Sequence, residues 1–275
     1  MGKIAAVVFS STLYIAMISA CIISYNEEKK IEDCLKSIEG VVDEIIIIDS
    51  LSTDNTLEIA AKYTDKITQQ AFLGHVEQKN LAVSKAQYDW ILSLDCDERL
   101  SPRLRQSILE IKDKLDQYDA YEMTRKTFYV YRWLNHCWYP DKKVRLFNKH
   151  KAVWGGINPH DRVIFKGDTV HVLRGDILHY SFDSISAHIQ TLDKFTEIGA
   201  GEIIKRGKKV SLLSPFSHAL WTFIHMYVLR LGFLDGFAGL VASMLSFMHV
   251  FVKYSKVVFS YRLPKKIGLV DRQQN

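Results

Sequence analysis

The chain has 275 residues, of which 48% are hydrophobic and 24% charged, with a formal net charge of +5. That composition supplies a sizeable core and excludes a disordered chain, and no lysine-arginine block is dense enough for a nucleic-acid tail, so nucleic acid is not an expected partner. Cys21, Cys34, Cys96 and Cys137 are scattered without a C-x-x-C pair, which excludes a zinc knuckle or disulfide scaffold and fits a reducing compartment.

Between Lys3 and Glu27 no residue is charged. A membrane span needs about 20 apolar residues. Ile18–Ile23, however, reads independently as a strand leading into Ser24-Tyr25-Asn26-Glu27, and the remaining Ile4–Met17 is short for a span. Met17 is therefore read as the natural start and residues 1–16 as an apolar extension. After an Asn26 cap, Ile31, Leu35 and Ile38 recur at helical spacing, and Gly40 ends the helix. Glu44–Ile48 is a β-branched strand stopping at Asp49, Ser50–Asn55 a polar turn, and Thr56–Tyr63 a second amphipathic helix. Lys66–Gln70 gives a third strand, and Gly74 opens a helix over Val76–Ala86.

Trp90–Leu94 is a short apolar run that delivers Asp95, Asp97 and Glu98. Residues two apart on an extended chain point the same way, so Asp95 and Asp97 can present two carboxylates to a divalent cation, Mg²⁺ or Mn²⁺. The alternative is a solvated acidic turn that favours the following helix N-terminus. Ser101 and Pro102 read as N-cap and first turn of a helix running to Leu115. An EF-hand is excluded, because Leu100 stands where the loop needs glycine and Gln106 where it needs glutamate.

Strands alternating with helices predict an α/β fold with a mostly parallel sheet and right-handed crossovers. Such sheets bind ligands beyond the carboxyl ends of their strands. Three of those ends carry polar groups: Ser24-Tyr25-Asn26, Asp49, and Asp95 with Asp97. Asp49 suits a ribose or base and Tyr25 suits stacking on the base, which directs a diphosphate toward the metal. A dinucleotide site is excluded by the absence of G-x-G-x-x-G after the first strand. Gly201 and Gly207-Lys208 only superficially resemble a phosphate loop, because the spacing is one residue too long and Lys209 replaces Ser or Thr.

Four blocks, I-S-A-C-I-I-S-Y-N-E-E, D-E-I-I-I-I-D-S-L-S-T-D-N-T, G-H-V-E-Q-K-N-L-A and W-I-L-S-L-D-C-D-E-R, together resemble the GT-A nucleotide-sugar domain of inverting family 2 glycosyltransferases. More narrowly, the chain is similar to the bacterial lipopolysaccharide-core β-1,4-glucosyltransferases, which add glucose to the inner-core heptose. The resemblance covers Met17–Phe182 strongly and implies a Rossmann-like GT-A domain over residues 17–206 that uses a UDP-sugar. It places Ser24, Tyr25, Glu27 and Asp49 around the uridine and Lys79 near the diphosphate. Asp97 would bind the divalent ion, and Asp95 the ribose or a metal-bound water. A hard cation suits this chemistry because it stabilises the charge developing on the leaving nucleoside diphosphate. A capsular, other glycolipid or protein acceptor, and a non-catalytic nucleotide-sugar-binding role, stay open.

From Asp119 the pattern changes. Tyr121–Tyr131 alternates loosely, as antiparallel strands or a long arm across the mouth of the site would. Arg125, Lys126, Arg132, Lys142, Lys143 and Arg145 make this segment basic. They are read either as a solvated face or as a contact for an anionic, lipid-linked saccharide acceptor. Lys143 and Arg145, flanked by apolar residues, are the first choices for that contact. An inverting transfer needs one general base. The subgroup that the chain resembles carries His-Glu where this chain has His160-Asp161, which makes Asp161 the expected base, one methylene shorter. The block Leu178-His179-Tyr180-Ser181 resembles the one whose histidine completes the metal site. A neutral imidazole there suits Mn²⁺, and a buried structural histidine is the alternative.

Phe182–Arg206 reads as a helix that closes over the site. Val210–Leu229 and Gly236–Val252 contain no Asp, Glu, Lys or Arg. Lys253, Lys256, Arg262, Lys265, Lys266 and Arg272 follow. Residues 207–275 are read as two helices broken around Gly232–Gly239, lying on the cytoplasmic face of the inner membrane with basic residues meeting anionic lipid. Core helices packed on the catalytic domain or on a dimer partner are the alternative.

Overall fold

The computed structural model describes residues 16–157, 160–167 and 169–262. The apolar extension, except its last residue, and the basic positions Lys265, Lys266 and Arg272 lie outside the described residues. In chain order the elements are β1 (Ile18–Ser24), α1 (Ile31–Ile38), β2 (Glu44–Asp49), α2 (Thr56–Ala60), β3 (Ile67–Gln69), α3 (His75–Ser84), β4 (Trp90–Asp95), β5 (Glu98–Leu100) and α4 (Pro102–Ile111). There follow β6 (Ala120–Tyr129), β7 (Arg132–Trp133), β8 (Asp141–Asn148), β9 (Ala152–Ile157), β10 (His160–Phe165), β11 (Val170–Phe182), α5 (Ile185–Lys205), α6 (Ser214–Phe223) and α7 (Gly236–Ser260).

The first half follows the alternating pattern. β1 pairs in parallel with β2 on one side and β4 on the other, and β3 extends β2 in parallel. Strands covered on both faces need nearly continuous apolar sequence, and β1, β2 and β4 have it. On one face Ile18, Ala20 and Ile22 pack with Leu35 and Ile38 of α1 and with Leu104 and Ile108 of α4. On the other, Cys21, Ile46, Ile48 and Ile91 meet Ala82 of α3, Phe147 and Trp154.

Beyond β4 the sheet becomes mixed. β8 runs antiparallel to β4 and to β6, β6 runs parallel to β11, and β5 closes the row antiparallel to β11. The expected arm is therefore β6, a central strand with an antiparallel neighbour on one side and a parallel one on the other. β9 and β10 form a separate antiparallel hairpin.

Some boundaries depart from the sequence reading. Asn26 is not a helix cap: its φ is +53, and its side-chain oxygen accepts from the Thr53 amide at 2.8 Å. The helix instead starts after Lys30 with no side-chain cap, because the polar residues before it are spent on the neighbouring loop. Ser101 does cap α4, accepting from Leu104 N, but α4 stops at Ile111. A third apolar cluster, Tyr129, Leu134, Cys137, Met226, Ala238 and Ala242, ties the C-terminal helices to the β6–β8 region.

Candidate functional site

The loops after β1 and β2 are stitched into one platform. Ser24 Oγ donates to Asp49 Oδ1 at 2.9 Å, and Asp49 also accepts from the Ser52 amide at 2.8 Å. The amides of Asn26 and Glu27 donate to Ser52 Oγ and Thr56 Oγ1, both at 2.8 Å. Tyr25 stands exposed beside this platform while Asp49 is fully buried. Asp49 thus shapes the platform, and Tyr25 is the side chain free to stack on a ligand.

At the end of β4, charges gather in a buried row. Lys79, from α3, sits 3.0 Å from Asp95 Oδ1 and 2.8 Å from Asp161 Oδ2, and is only 5% exposed. Arg145, from β8, lies 3.2 Å from Asp95 and 3.0 Å from Glu98, and Arg125 lies 3.2 Å from the same Glu98 oxygen. Glu98 Oε2 accepts from the Asp95 amide at 3.1 Å. The Trp154 ring backs both cations, its centroid 4.3 Å from Lys79 Nζ and 5.1 Å from the Arg145 guanidinium. Asn80 holds the Trp154 backbone, its side-chain amide donating to Trp154 O at 2.9 Å and accepting from Trp154 N at 3.0 Å. Burial works to raise the Asp95 carboxyl, but Lys79 and Arg145 hold it well below the usual carboxylate range. Burial likewise works to raise Glu98, and Arg145 with Arg125 brings it below its ordinary value against the charge of Asp95. Both carboxylates are therefore ionised at neutral pH, as a row of fixed charges requires.

A second pair faces this row. Asp97 Oδ2 lies 3.2 Å from His179 Nε2. The two are more than eighty residues apart in sequence, and strand pairing brings them together: His179 pairs with Glu98 in the β11–β5 ladder, and the Tyr180 amide donates to Asp97 O at 2.9 Å. Cys96, between the acids, points inward, its thiol 3.2 Å from Ile23 O. Burial and the Asp97 charge push the Glu27 carboxyl up to about 7.

Among the described residues no group of three or more His, Cys, Asp or Glu forms a ready-made metal cage. Asp97 and His179 supply one carboxylate and one imidazole, and the buried Nδ1 of His179 makes no hydrogen bond. Such a pair fits a hard or borderline cation that takes its remaining oxygens from a bound diphosphate and water.

The positions expected from sequence thus separate into a platform (Ser24, Tyr25, Glu27, Asp49), a buried row (Lys79, Asp95, Asp161, Arg145) and a facing pair (Asp97, His179). Arg145 lies deeper than an acceptor contact would, since its carboxylate partners enclose it. Its apolar flanks mark a strand in the sheet interior. Lys143, one step out along β8, is half-buried and paired with Asp141 at 3.0 Å. Glu98, Arg125, Trp154 and Asn80 were not singled out as site residues by the sequence reading. Glu98 belongs to the acidic run after β4 and Arg125 to the basic segment, whereas Trp154 and Asn80 carry no local signal.

Residues 19–167 match the family described as glycosyl transferase family 2. The chain belongs to that family. It is a glycosyltransferase of the family 2 type, and its α/β fold is of the GT-A kind. An uncharacterized glycosyltransferase of Rickettsia bellii is 33% identical over 258 residues, covering 90% of this chain and 88% of the relative. The lipopolysaccharide core biosynthesis glycosyltransferase LpsC of Rhizobium meliloti is 24% identical over 266 residues, covering 92% and 96%. Among solved structures, S. aureus TarS 1–349 aligns with a TM-score of 0.47 and 18% identity over 93% of this chain and 95% of that one.

Proposed function

We propose that this family 2 glycosyltransferase moves a hexosyl group, glucose first among candidates, from a UDP-sugar to a saccharide of the lipopolysaccharide-core type, with inversion at the anomeric carbon. The observation that carries the reading is the convergence, at the carboxyl ends of β1, β2 and β4, of a polar platform, a Lys79–Asp95–Asp161 charge row and an Asp97–His179 pair. The near end-to-end likeness to a relative named for lipopolysaccharide core biosynthesis supports the acceptor class.

In this reading Tyr25 stacks on the uridine, Asp49 with Ser24 and Glu27 shapes its pocket, and Asp97 with His179 holds Mg²⁺ or Mn²⁺. The cation, when bound, supplies Lewis-acid stabilisation of the leaving diphosphate. Asp161 is the general base. It accepts the proton of the acceptor hydroxyl as that oxygen bonds to the anomeric carbon; the bond to the UDP oxygen breaks, and UDP leaves with the electron pair. In the free protein the Lys79 ammonium bridges Asp95 and Asp161. The donor phosphates compete for that ammonium, and its turn toward them frees Asp161 to take a proton. Lys143 meets anionic groups of the acceptor. Arg145 acts one layer back, holding Asp95 in place.

The test is UDP release by purified protein with Mn²⁺, a panel of UDP-sugars and core oligosaccharide. Turnover with UDP-glucose that disappears in Asp97→Ala is the expected result. Tight UDP binding with no turnover on any donor and acceptor pair would overturn the reading.

A further inference from the structure

The turn between α6 and α7 is built in an unusual way. Val228, Leu229, Leu231, Phe233, Leu234 and Phe237 all face solvent, with Phe237 67% and Leu229 58% exposed. An exposed apolar loop is usually loose, but this one is held rigidly from behind. Asp235 is fully buried and accepts from the amides of Asn135, His136 and Cys137 at 2.8, 3.0 and 3.0 Å. Arg230 donates to Pro140 O at 3.1 Å. Gly232 is packed so closely that an added Cβ would lie 2.6 Å from Met226 O, and a Cβ on Gly239 would strike Gly232 O. Leu231 has a φ of +56, a left-handed conformation that costs a branched residue energy. The fold therefore spends a buried acid, two close glycine contacts and a strained leucine on presenting apolar side chains outward.

We propose that this tip, Val228–Phe237, is a wedge that inserts into the surface of an anionic lipid bilayer. Large exposed apolar patches mark protein or membrane contacts, and charge decides between them here. Within Val228–Phe237 the one cation is Arg230, and the one acid, Asp235, is buried and taken up by three backbone amides. Arg132 adds a further guanidinium beside the tip, where a Cβ on Gly236 would lie 3.0 Å from its Nη1. Two copies of such a surface repel one another, whereas anionic headgroups complement it. Insertion is shallow. Gly232–Ser260 is long and apolar enough to cross a membrane, with a mean hydropathy of 1.5. Yet Lys256, near its end, pairs with Asp193 at 3.1 Å and Glu197 at 2.8 Å on α5. Those pairs hold the helix against the protein, as in a monotopic attachment. The tip's anchor, Asn135–Pro140, leads directly into β8, which carries Lys143, so insertion brings the acceptor side of the site to the lipid surface. The inference stands apart from the donor and acceptor reading, because vesicle binding needs no turnover.

The experiment is flotation of the full chain with vesicles of phosphatidylglycerol and phosphatidylethanolamine, and with neutral phosphatidylcholine vesicles as control. Wild type should float with the anionic vesicles and lose most of that binding in neutral ones. Phe233→Ser with Phe237→Ser should weaken binding at least about tenfold, and Leu229→Ser with Leu234→Ser should do the same with an unchanged melting temperature. UDP binding should be unaltered in both. Wild-type protein that stays unbound, or folded tip variants that float like wild type, would overturn the proposal. So would a concentration-dependent dimer that both tip variants abolish.

Discussion

Replacing Lys79 with methionine removes the ammonium that Asp95 and Asp161 share while keeping a side chain of similar length against the Trp154 ring, where sulfur also packs well. The loss is therefore mainly one of charge. Asp95 retains Arg145 at 3.2 Å, whereas Asp161 loses its 2.8 Å cation. Breaking a buried pair by deleting one partner costs about 3–5 kcal/mol. At about 2–4 °C for each kcal/mol, Lys79→Met should melt roughly 6–20 °C below wild type. Asp161→Asn introduced on top removes the stranded carboxylate. The double variant should recover stability, with a coupling of about 2 kcal/mol or more between the two sites. Thermal and urea unfolding of the four proteins at pH 7 in chelator gives that cycle directly. Effects that add to within about 0.5 kcal/mol would refute the shared-ammonium argument. A Lys79→Met protein as stable as wild type would refute it more simply.

Asp161→Asn alone should lower turnover by about 10²–10⁴ with nucleotide affinity largely kept, measured by UDP release alongside UDP titration, and near-normal turnover would remove Asp161 as the base. His179→Ala should weaken Mn²⁺ binding in the presence of UDP by about tenfold or more, read by paramagnetic or calorimetric titration, whereas equal affinity would make the histidine purely structural. Glu98→Ala should destabilise by about 3–5 kcal/mol, because Arg145 and Arg125 both lose a carboxylate that is fully buried; urea midpoints check it. His188, stacked on Phe182 and bonded to the Tyr129 hydroxyl at 2.9 Å, is held by burial down at about 4. Its folded value lies below its unfolded one, so its contribution is fully present above about pH 6.5 and is lost as the pH falls toward 4, up to about 3 kcal/mol. His188→Gln should flatten the stability–pH curve in that window, and identical curves for the two proteins would refute the assignment.

The first four strands were legible in the sequence because their information is local. β-branched runs, a polar residue at each strand end and helical spacing between them all fall within a few residues of where they act. Asp95 and Asp97 were legible for the same reason, and so was the Ser101 cap. Asn26 misled because a cap residue and a loop-bridging residue look alike; only the Ser52–Thr53 segment, far along the chain, decides which it is. Glu98 was read as one more acid in a turn. Its role depends on Arg125 and Arg145, which come from β6 and β8, and nothing near Glu98 indicates that pairing. Arg145 shows the converse ambiguity. Apolar neighbours on a strand suit a cation aimed at an acceptor, yet the same pattern describes a cation folded into the sheet, where Arg145 meets Asp95 and Glu98.

The mixed half of the sheet carries the part of the site that local patterns miss. β5 is three residues long, and by itself it would hold nothing. Laid against β11, it fixes Asp97 opposite His179 and Glu98 beneath Arg145, so one short ladder sets both the facing pair and the back of the charge row. The hairpin β9–β10 does the same from the other side, bringing Asp161 to Lys79 while Trp154 of the same hairpin backs that lysine. Lys79 thus pairs with carboxylates from both halves, and in the proposed function it is the group through which the donor side and the base would communicate. A helix that buries a lysine at the cost of desolvating it is hard to explain by packing alone, and it is well suited to a site where an incoming diphosphate must change the state of a carboxylate.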